Sequence, residues 1–297
     1  MLEGLEETEW WFHTDKIHIP YRGNRKIIDQ RIPLVSFFGN ELALGSHKVD
    51  FNFQLPPTLP GAFLWYHLDW KAKIEYKLKL QLTALDEKDN LEFERFILIQ
   101  EKNIPAKEET KDVEVDHKIK TMGMFSKGRS KYKVWIETNE FKVNEVARVF
   151  MDIDNSACSA SIKNVQIELK RKIRLFSDKK YKLNHSKTVV SEKFPGIPKK
   201  EMTPEGEPRL LELNLHKFVT EFLAKHAKTY KEKVGKHYGD FFLEPTTHTE
   251  LINCDYFIKI KPIYDVTWKA VSGAPKVKIP ISLTIPGDQV LNIQYEE

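Results

Sequence analysis

Histidine, cysteine and carboxylate side chains are the residues of this sequence that could do chemistry. The ten histidines include no HExxH spacing and no pairing with cysteine of the kind that binds zinc. The chain has no Gly-x-Ser-x-Gly, P-loop or GxGxxG motif, and Gly45-Ser46-His47 has no partner that the sequence nominates. The sequence therefore predicts no catalytic residue, no metal site and no cofactor.

Two short spacings have alternative interpretations. His67 and Asp69 alternate along a predicted strand, so the carboxylate could orient the imidazole, although a surface or interface histidine is the more ordinary interpretation. Asp152 and Asp154 also alternate and could bind a cation. Because Asn155 follows them at a strand end, we expect these carboxylates to cap a turn instead.

A run of basic residues gives the strongest electrostatic signal. Between Lys170 and Lys200 the chain has eleven Lys or Arg residues against only Asp178 and Glu192. Such a segment would attract phosphorylated protein segments or anionic lipid headgroups, at about 1 kcal/mol per charge near a membrane surface; a solvated charged loop is the alternative. The aromatic residues nearby are too scattered for a nucleic-acid stacking platform. The candidate contacts for an anionic partner are Lys170, Arg171, Lys172, Arg174, Lys179, Lys180 and Lys182.

The composition is typical of a soluble, cytosolic protein. The 297 residues suit one large domain or two ordinary ones, and the net charge of +4 is too small to indicate a dedicated nucleic-acid-binding protein. Cys158 and Cys254 lie far apart in strand-like sequence, which predicts buried thiols and no disulfide framework. The acidic N-terminus lacks the apolar core of a signal peptide, and no run approaches the ~20 apolar residues that cross a bilayer.

Short β-strands must position these residues. In Lys71–Ala84 every even position from Ala72 to Leu82 is apolar, and the odd positions are Lys, Glu or Gln, which predicts a strand with one buried and one charged face. Many such strands separated by turn residues are typical of a β-sandwich rather than a parallel α/β sheet. Similar alternation predicts strands at Tyr132–Glu137, Ala147–Ile153, Val165–Leu169, Tyr256–Ile260 and Val277–Leu283.

One helix is predicted within this pattern, at about residues 215–236. Apolar residues including Phe218 and Phe222 recur near helical spacing, the lysines lie largely elsewhere on the helical wheel, and Asn214 is a suitable N-cap. The helix could cover a sheet with its lysines in water. Alternatively it could lie on an anionic membrane, with Phe218 and Phe222 facing the lipid.

Two polar stretches interrupt the alternation. The chain is irregular from Glu101 to about Arg129, which we interpret as the interdomain region, although a short strand could lie at Val113–Val115. Ser177–Pro208 is rich in Lys, Ser, Pro and Gly, and we interpret it as a long surface loop.

The segment 51–65, FNFQLPPTLPGAFLW, places three prolines and a glycine between aromatic residues. Proline donates no ladder hydrogen bond and fixes φ, so we expect the chain to leave one strand and cross the sandwich rim in extended form. The flanking aromatics would pin each end in the core, and Pro60-Gly61 would allow a tight turn. Residues His47–Phe63, which include most of this segment, together with the Tyr-containing strand Ile74–Leu80 resemble the signature of the arrestin N-domain.

A second block resembles the arrestin C-domain. Val134–Ser156 has a strand–turn–strand order that ends in Asn-Ser, with Asn144-Glu145 where the family has Gly-Glu. The departure is mild because asparagine tolerates the left-handed conformation. The resemblance spans roughly residues 4–100 and 130–293, and it includes the later strands Ser161–Leu169, Thr249–Ile258 and Val277–Leu283.

The resemblance implies an all-β protein of two tandem immunoglobulin-like β-sandwiches. The first, residues 1–128, would be an arrestin N-terminal-like domain that lacks the opening strands and the basic pair with which some family members sense phosphates. The second, residues 129–297, would be a C-terminal-like domain that carries the basic loop 170–208 and the helix inserted at about 215–236.

The resemblance also implies a function. We expect a non-enzymatic cytoplasmic adaptor that is recruited to the plasma membrane or endosomes and docks on cytoplasmic parts of membrane proteins or receptors. It would link them to endocytosis, ubiquitin-ligase or signalling machinery, although the Pro-Pro-x-Tyr and clathrin-box motifs do not occur. Two alternatives stay open: a retromer-like cargo-binding coat subunit of the same fold, and a peripheral module that binds anionic lipid.

Overall fold

The structure, a computed structural model, consists almost entirely of β-strands, which confirms the predicted all-β class. The chain divides into two compact units, each built from three chain segments. Unit 1 comprises Met1–Lys102, Leu175–Lys182 and Thr249–Ile252, and unit 2 comprises Asn103–Arg174, Leu183–His248 and Asn253–Glu297. The residues that the structure describes are 1–13, 17–36, 45–67, 70–83, 90–101, 112–121, 125–215, 217, 244–265, 271–272 and 276–284.

Unit 1 contains an antiparallel five-stranded sheet in the order β2-β1-β4-β3, with β5 also paired to β4. The predicted alternation holds along β4, where Ala72, Ile74 and Tyr76 are buried while Leu80 at the far end is half exposed. The strands are β1 (Leu2–His13), β2 (His18–Gln30), β3 (Phe63–His67), β4 (Trp70–Leu82) and β5 (Leu91–Ile97).

The proline-rich segment crosses between strands without joining a ladder, as predicted, but only its second end is pinned. Phe63 is buried, and the Tyr76 hydroxyl donates a hydrogen bond of 2.6 Å to the Pro60 carbonyl. Phe51 is 52% exposed and belongs to no strand, so the prediction that aromatics anchor both ends is wrong. The tight turn lies earlier than predicted, since the Leu59 amide donates to the Pro56 carbonyl with Pro57 at the position that favours its fixed φ.

Unit 2 contains two sheets, one ordered β11-β10-β14-β16-β8 with β13 paired to β14, and one ordered β12-β9-β7-β6-β15. Alternate residues are buried along the central strands of both sheets, as on the inner faces of a β-sandwich. The strands are β6 (Asp112–Thr121), β7 (Phe125–Ile136), β8 (Glu140–Lys142), β9 (Val146–Asp154), β10 (Ile162–Phe176), β11 (Lys182–Ile197), β12 (Arg209–Asn214), β13 (Thr247–His248), β14 (Ile252–Tyr264), β15 (Val271–Ser272) and β16 (Val277–Thr284).

Two strands lie where the sequence predicts irregular chain. β6 contains the short strand allowed at Val113–Val115 but extends beyond it, and β11 occupies half of the expected loop Ser177–Pro208, so the loop interpretation is wrong there. Along β6 only Ile119 is buried, and β11 is the outermost strand of its sheet. A strand that buries few side chains on either face can accept Lys, Glu and Pro at most positions. These residues obscure the apolar–polar alternation in its sequence. β6 belongs to unit 2, and the first break between the compact units follows Lys102. The domain boundary after residue 128 stays a prediction.

The predicted inserted helix stays a prediction. Leu215 and Lys217 are helical, and the Asn214 side-chain oxygen accepts a hydrogen bond of 3.2 Å from the Lys217 amide, as an N-cap does. The rest of the segment, including Phe218 and Phe222, lies outside the described residues.

Candidate docking surface

The basic residues on β10 alternate between the core and the surface. Arg171 points inward and is buried, where its guanidinium is paired with the carboxylate of Glu244. Lys170 lies 3.5 Å from Glu168 and also donates to the Thr188 hydroxyl. Arg174 is 2.7 Å from Asp255, whose other oxygen is 2.7 Å from His248. Three of the four predicted contacts on this strand therefore already hold carboxylates, and Lys172 alone among them is exposed.

The buried pair in unit 2 has a structural role. Burial alone would lower the pKa of Arg171, but the facing Glu244 carboxylate outweighs it and raises that pKa above its ordinary value. The Tyr256 hydroxyl donates a hydrogen bond of 2.8 Å to the Glu244 carbonyl, which fixes the backbone beside the pair. Each charge is thus compensated inside the protein, where an unpaired charge would be costly.

The remaining predicted contacts lie on a turn of unit 1, residues 177–182, which we call the basic turn. Lys179, Lys180 and Lys182 are exposed there. The Lys180 amide donates 2.8 Å to the Ser177 carbonyl, and Lys180 has a positive φ of 62°. The Ser177 amide donates to the Tyr181 carbonyl at 3.0 Å, which closes the turn. Three ammonium groups are therefore presented on a fixed backbone.

The second feature of unit 1 is the end of the β1–β2 hairpin, which carries Phe12, Ile17 and Ile19. We call these three residues the apolar hairpin end. Phe12 is 53% exposed and Ile17 56%, and Ile19 is also exposed. Trp10 is buried and stacks on Tyr21 at 5.6 Å between ring centroids. Sequence analysis missed this feature, although the aromatic run Trp10–Phe12 ahead of a hairpin was a signal that could have found it.

Contacts within unit 1 join the hairpin strands to the basic turn. The Tyr21 and Tyr181 rings are 4.6 Å apart between centroids. The Asp178 side chain accepts a hydrogen bond of 3.0 Å from the Asn24 amide, and the Asp178 amide donates 3.0 Å to the Arg22 carbonyl. These bonds place the basic turn beside Tyr21–Asn24 of β2, the strand that also carries Ile19. We call the apolar hairpin end and the basic turn together the docking rim.

Two polar side chains on the inner face of β1 form hydrogen bonds with the later chain segments of unit 1. The Thr8 hydroxyl donates 2.7 Å to the Phe176 carbonyl, next to the basic turn. Glu6 is fully buried, and one of its oxygens accepts hydrogen bonds from the Thr249 hydroxyl and, at 3.1 Å, from the Leu251 amide. Burial raises the pKa of the Glu6 carboxyl, while these donors and Arg25 at 3.8 Å oppose the rise.

The outer face of the same sheet is electrostatically different from the docking rim. Cross-strand ion pairs join Lys79 to Glu3 at 2.7 Å, and other lysines of β4 pair with glutamates of β1 and β5. Opposite charges are therefore matched along this face, which leaves the docking rim as the better candidate for an anionic partner.

Two pairs of side chains were candidates for chemistry, Asp152 with Asp154 and His67 with Asp69. Asp154 and His67 have structural roles. Asp154 accepts hydrogen bonds from the Ser156 amide at 3.0 Å and from the Ser156 hydroxyl at 2.5 Å, so the predicted turn cap is confirmed. The His67 ring stacks on the Trp65 and Trp70 rings, which also contact each other, and Asp69 lies outside the described residues. Within the described ranges, no three His, Cys, Asp or Glu side chains are grouped as metal ligands.

Comparison with known proteins matches residues 126–287 to a model of the family described as "Arrestin (or S-antigen), C-terminal domain". The match covers more than half of the 297 residues and most of unit 2. A search of curated proteins gives no significant match for the chain. In the part of the chain that is described, no helix is both long and apolar enough to span a membrane.

Proposed function

We propose that this chain, which belongs to the arrestin family, docks through the rim of unit 1 on acidic or phosphorylated cytoplasmic segments of membrane proteins and links them to trafficking or signalling machinery. The family is one of non-enzymatic adaptors. The proposal places the protein in the cytoplasm, with recruitment to the plasma membrane or endosomes. The observation that carries it is the docking rim itself, in which one strand, β2, carries the exposed Ile19 at its start and contacts the turn with three exposed lysines further along.

The apolar part of the docking rim would supply affinity. Burying a large aliphatic or aromatic side chain is worth about 1.5–3 kcal/mol, and water-exposed apolar groups clustered at a hairpin end are typical of interaction sites. Phe12 and Ile19 are directly paired across β1 and β2, so a partner that covers one side chain covers both.

The basic turn would supply selectivity for anionic segments. Each lysine is worth about 1 kcal/mol at a strongly anionic surface, and the effect weakens with salt. Because the turn backbone is fixed by hydrogen bonds, the ammonium groups are placed without ordering a loop on binding. Arg171 and Arg174, by contrast, are engaged with carboxylates.

Paired lysine substitutions test the proposal with a matched control. We expect Lys179→Gln/Lys180→Gln to weaken retention of the full chain on immobilised acidic or phosphoserine-containing cytoplasmic peptides by about tenfold or more, since two charges are lost. Lys199→Gln/Lys200→Gln is the control, because it removes two exposed lysines from another turn in which the second lysine also has a positive φ, 66°.

Four outcomes would redirect the proposal. Equal loss in both lysine variants would mean that net charge alone governs retention, and no loss in either would remove the basic turn from the interface. Flotation of the chain with anionic liposomes that carry no acidic or phosphorylated peptide would favour the peripheral lipid-binding alternative. Stable co-purification with large helical-solenoid subunits would favour the retromer-like coat alternative.

A further inference from the structure

Two histidines face each other at the hairpin end of unit 1. His13 and His18 are the last directly opposed pair of β1 and β2, and both side chains are exposed. Their Nδ1 atoms are 2.6 Å apart, and their ring centroids are 4.9 Å apart. The Trp11 ring stacks on the His13 ring at 6.4 Å, which restricts the imidazole on one side.

The short Nδ1–Nδ1 distance limits what the two rings can hold between them. One Nδ1 carries a hydrogen and donates it, and the other accepts with its lone pair. Two Nδ1 hydrogens would not fit between atoms 2.6 Å apart. When the donor ring changes to its Nε2–H tautomer, both imidazoles are neutral and both Nδ1 lone pairs converge on one point, which is the arrangement of a bidentate metal ligand.

We propose that His13 and His18 form a binding site for a divalent transition metal ion of the zinc class. Imidazole nitrogen suits Zn²⁺, Cu²⁺ and Ni²⁺, whereas Mg²⁺ and Ca²⁺ prefer oxygen ligands. With Zn–N distances of about 2.0–2.1 Å and tetrahedral angles, the two nitrogens would lie about 3.3 Å apart. The rings must therefore separate by roughly 0.7 Å, a shift that exposed side chains at a strand end can make by small χ rotations.

Two imidazoles leave part of a tetrahedral ion's coordination shell open. Water would complete the shell in the protein alone. Because the pair lies next to Phe12 and Ile19, a His, Cys or carboxylate side chain of a bound partner could replace that water. The site does not depend on the proposed docking function, since its affinity is a property of the chain by itself.

Metal titration of the purified full chain tests the site. We expect Zn²⁺ to bind with a dissociation constant below about 1 mM and Mg²⁺ to show no binding at this pair. His13→Gln and His18→Gln should each weaken Zn²⁺ binding at least tenfold, because either change leaves one imidazole. His47→Gln, another exposed histidine of unit 1, is the matched control and should leave the affinity unchanged.

Nitrogen chemical shifts identify the coordinating atoms independently of affinity. In ¹⁵N-labelled protein, Zn²⁺ should shift the Nδ1 resonances of both histidines together and leave their Nε2 resonances with attached hydrogens. The variants should keep the unfolding temperature of the metal-free protein, since both side chains are exposed. Zn²⁺ binding that survives both substitutions, shifts at Nε2 only, or no Zn²⁺ binding at millimolar concentration would each overturn the proposal.

Discussion

Two charged residues occupy inward positions on strands whose neighbouring inward residues are largely apolar or small. Glu6 on β1 and Arg171 on β10 are both buried, and each is satisfied by partners that are distant in sequence. The two buried charges are stabilised in different ways. Arg171 faces a full countercharge, whereas Glu6 is held mainly by a hydroxyl and an amide, with Arg25 further away at 3.8 Å. The two residues should therefore respond differently to substitution and pH.

Glu6→Gln should remove a pH-dependent loss of stability. The pKa of Glu6 is raised above its ordinary 4.5, so the folded protein binds a proton that the unfolded chain releases in the window between the two values. The resulting stabilisation is complete below pH 4.5 and is lost as pH rises through the folded pKa. Urea unfolding of the wild type from pH 4 to 8 should show this decline, and the Gln variant should show a flatter profile.

Glu6→Ala is the matched comparison. Glutamine keeps the oxygen that accepts from Thr249 and Leu251, whereas alanine leaves the Leu251 amide without that acceptor. Relative to the Gln variant, we expect alanine to cost about 1–3 kcal/mol in the free energy of unfolding at every pH. Parallel pH profiles for the wild type and the Gln variant would contradict the assignment.

Arg171→Met should destabilise the protein strongly. It leaves the Glu244 carboxylate buried without its countercharge, which costs about 3–5 kcal/mol in comparable cases. Arg171→Met/Glu244→Leu removes both charges and should recover most of the loss. Chemical denaturation of the three proteins measures the difference, and a double variant as unstable as the single one would show that packing matters more than charge.

At the residue scale, sequence reasoning is least able to distinguish a buried charged side chain from an exposed one. Arg171 and Lys172 are adjacent basic residues, and only the direction of β10 decides that one is buried and the other exposed. The run from Lys170 to Lys182 was correctly identified as charged, but the carboxylate partners Glu244 and Asp255 are brought to it by the fold. Local composition does not contain that pairing.

At the scale of elements, period-two alternation predicts a strand well where one face of that strand is buried along most of its length. β9 and β14 follow it throughout and β10 follows it from Val165 onward, because alternate residues of these strands lie in the core. β6 and β11 bury few side chains, so their sequences carry the charge and proline of an exposed surface. The burial that a strand receives, and not its hydrogen bonding, decides whether sequence reveals it.

Gly128 in β7 is an element-scale position that should not accept a side chain. It has a φ of +106°, and an added Cβ would lie 1.9 Å from the Ala157 carbonyl oxygen. The turn after β9 packs directly on this strand, since the Arg129 amide donates 3.0 Å to that carbonyl. Gly128→Ala must therefore displace the turn, strain the backbone, or both.

The expected result is a loss of roughly 3 kcal/mol or more in the free energy of unfolding for Gly128→Ala, from overpacking and backbone strain together. Gly206→Ala is the control, because Gly206 also has a positive φ, +77°, but an added Cβ would meet open space. It should cost only about 1 kcal/mol. Similar unfolding midpoints for the two variants would show that the turn can move away without penalty.

At the scale of the molecule, unit 1 is not a continuous piece of chain. Residues 175–182 and 249–252 belong to it although they lie far beyond Lys102 in sequence. They supply the partners of Thr8, Glu6 and Asn24. Sequence analysis divides the chain at one point because it weighs composition along the chain, and composition does not reveal which later segments return to the first unit.

Fragments should reflect this construction. We expect residues 1–102 alone to give a poorly dispersed NMR spectrum and no cooperative unfolding, because buried polar groups lose their partners. Residues 103–297 keep both sheets of unit 2 and should unfold cooperatively. A well-dispersed spectrum for residues 1–102 would contradict this dependence on the later segments.

The discontinuity has a consequence for biosynthesis. Although the sheet of unit 1 is encoded in the first third of the chain, the Leu251 amide that satisfies Glu6 is synthesised about 150 residues after Lys102. At ordinary translation speeds the nascent N-terminal strands would wait roughly 8–30 s for that partner. During this interval Glu6 and its apolar neighbours would remain accessible to ribosome-associated chaperones, so the earliest-made strands would be among the last to reach their final state.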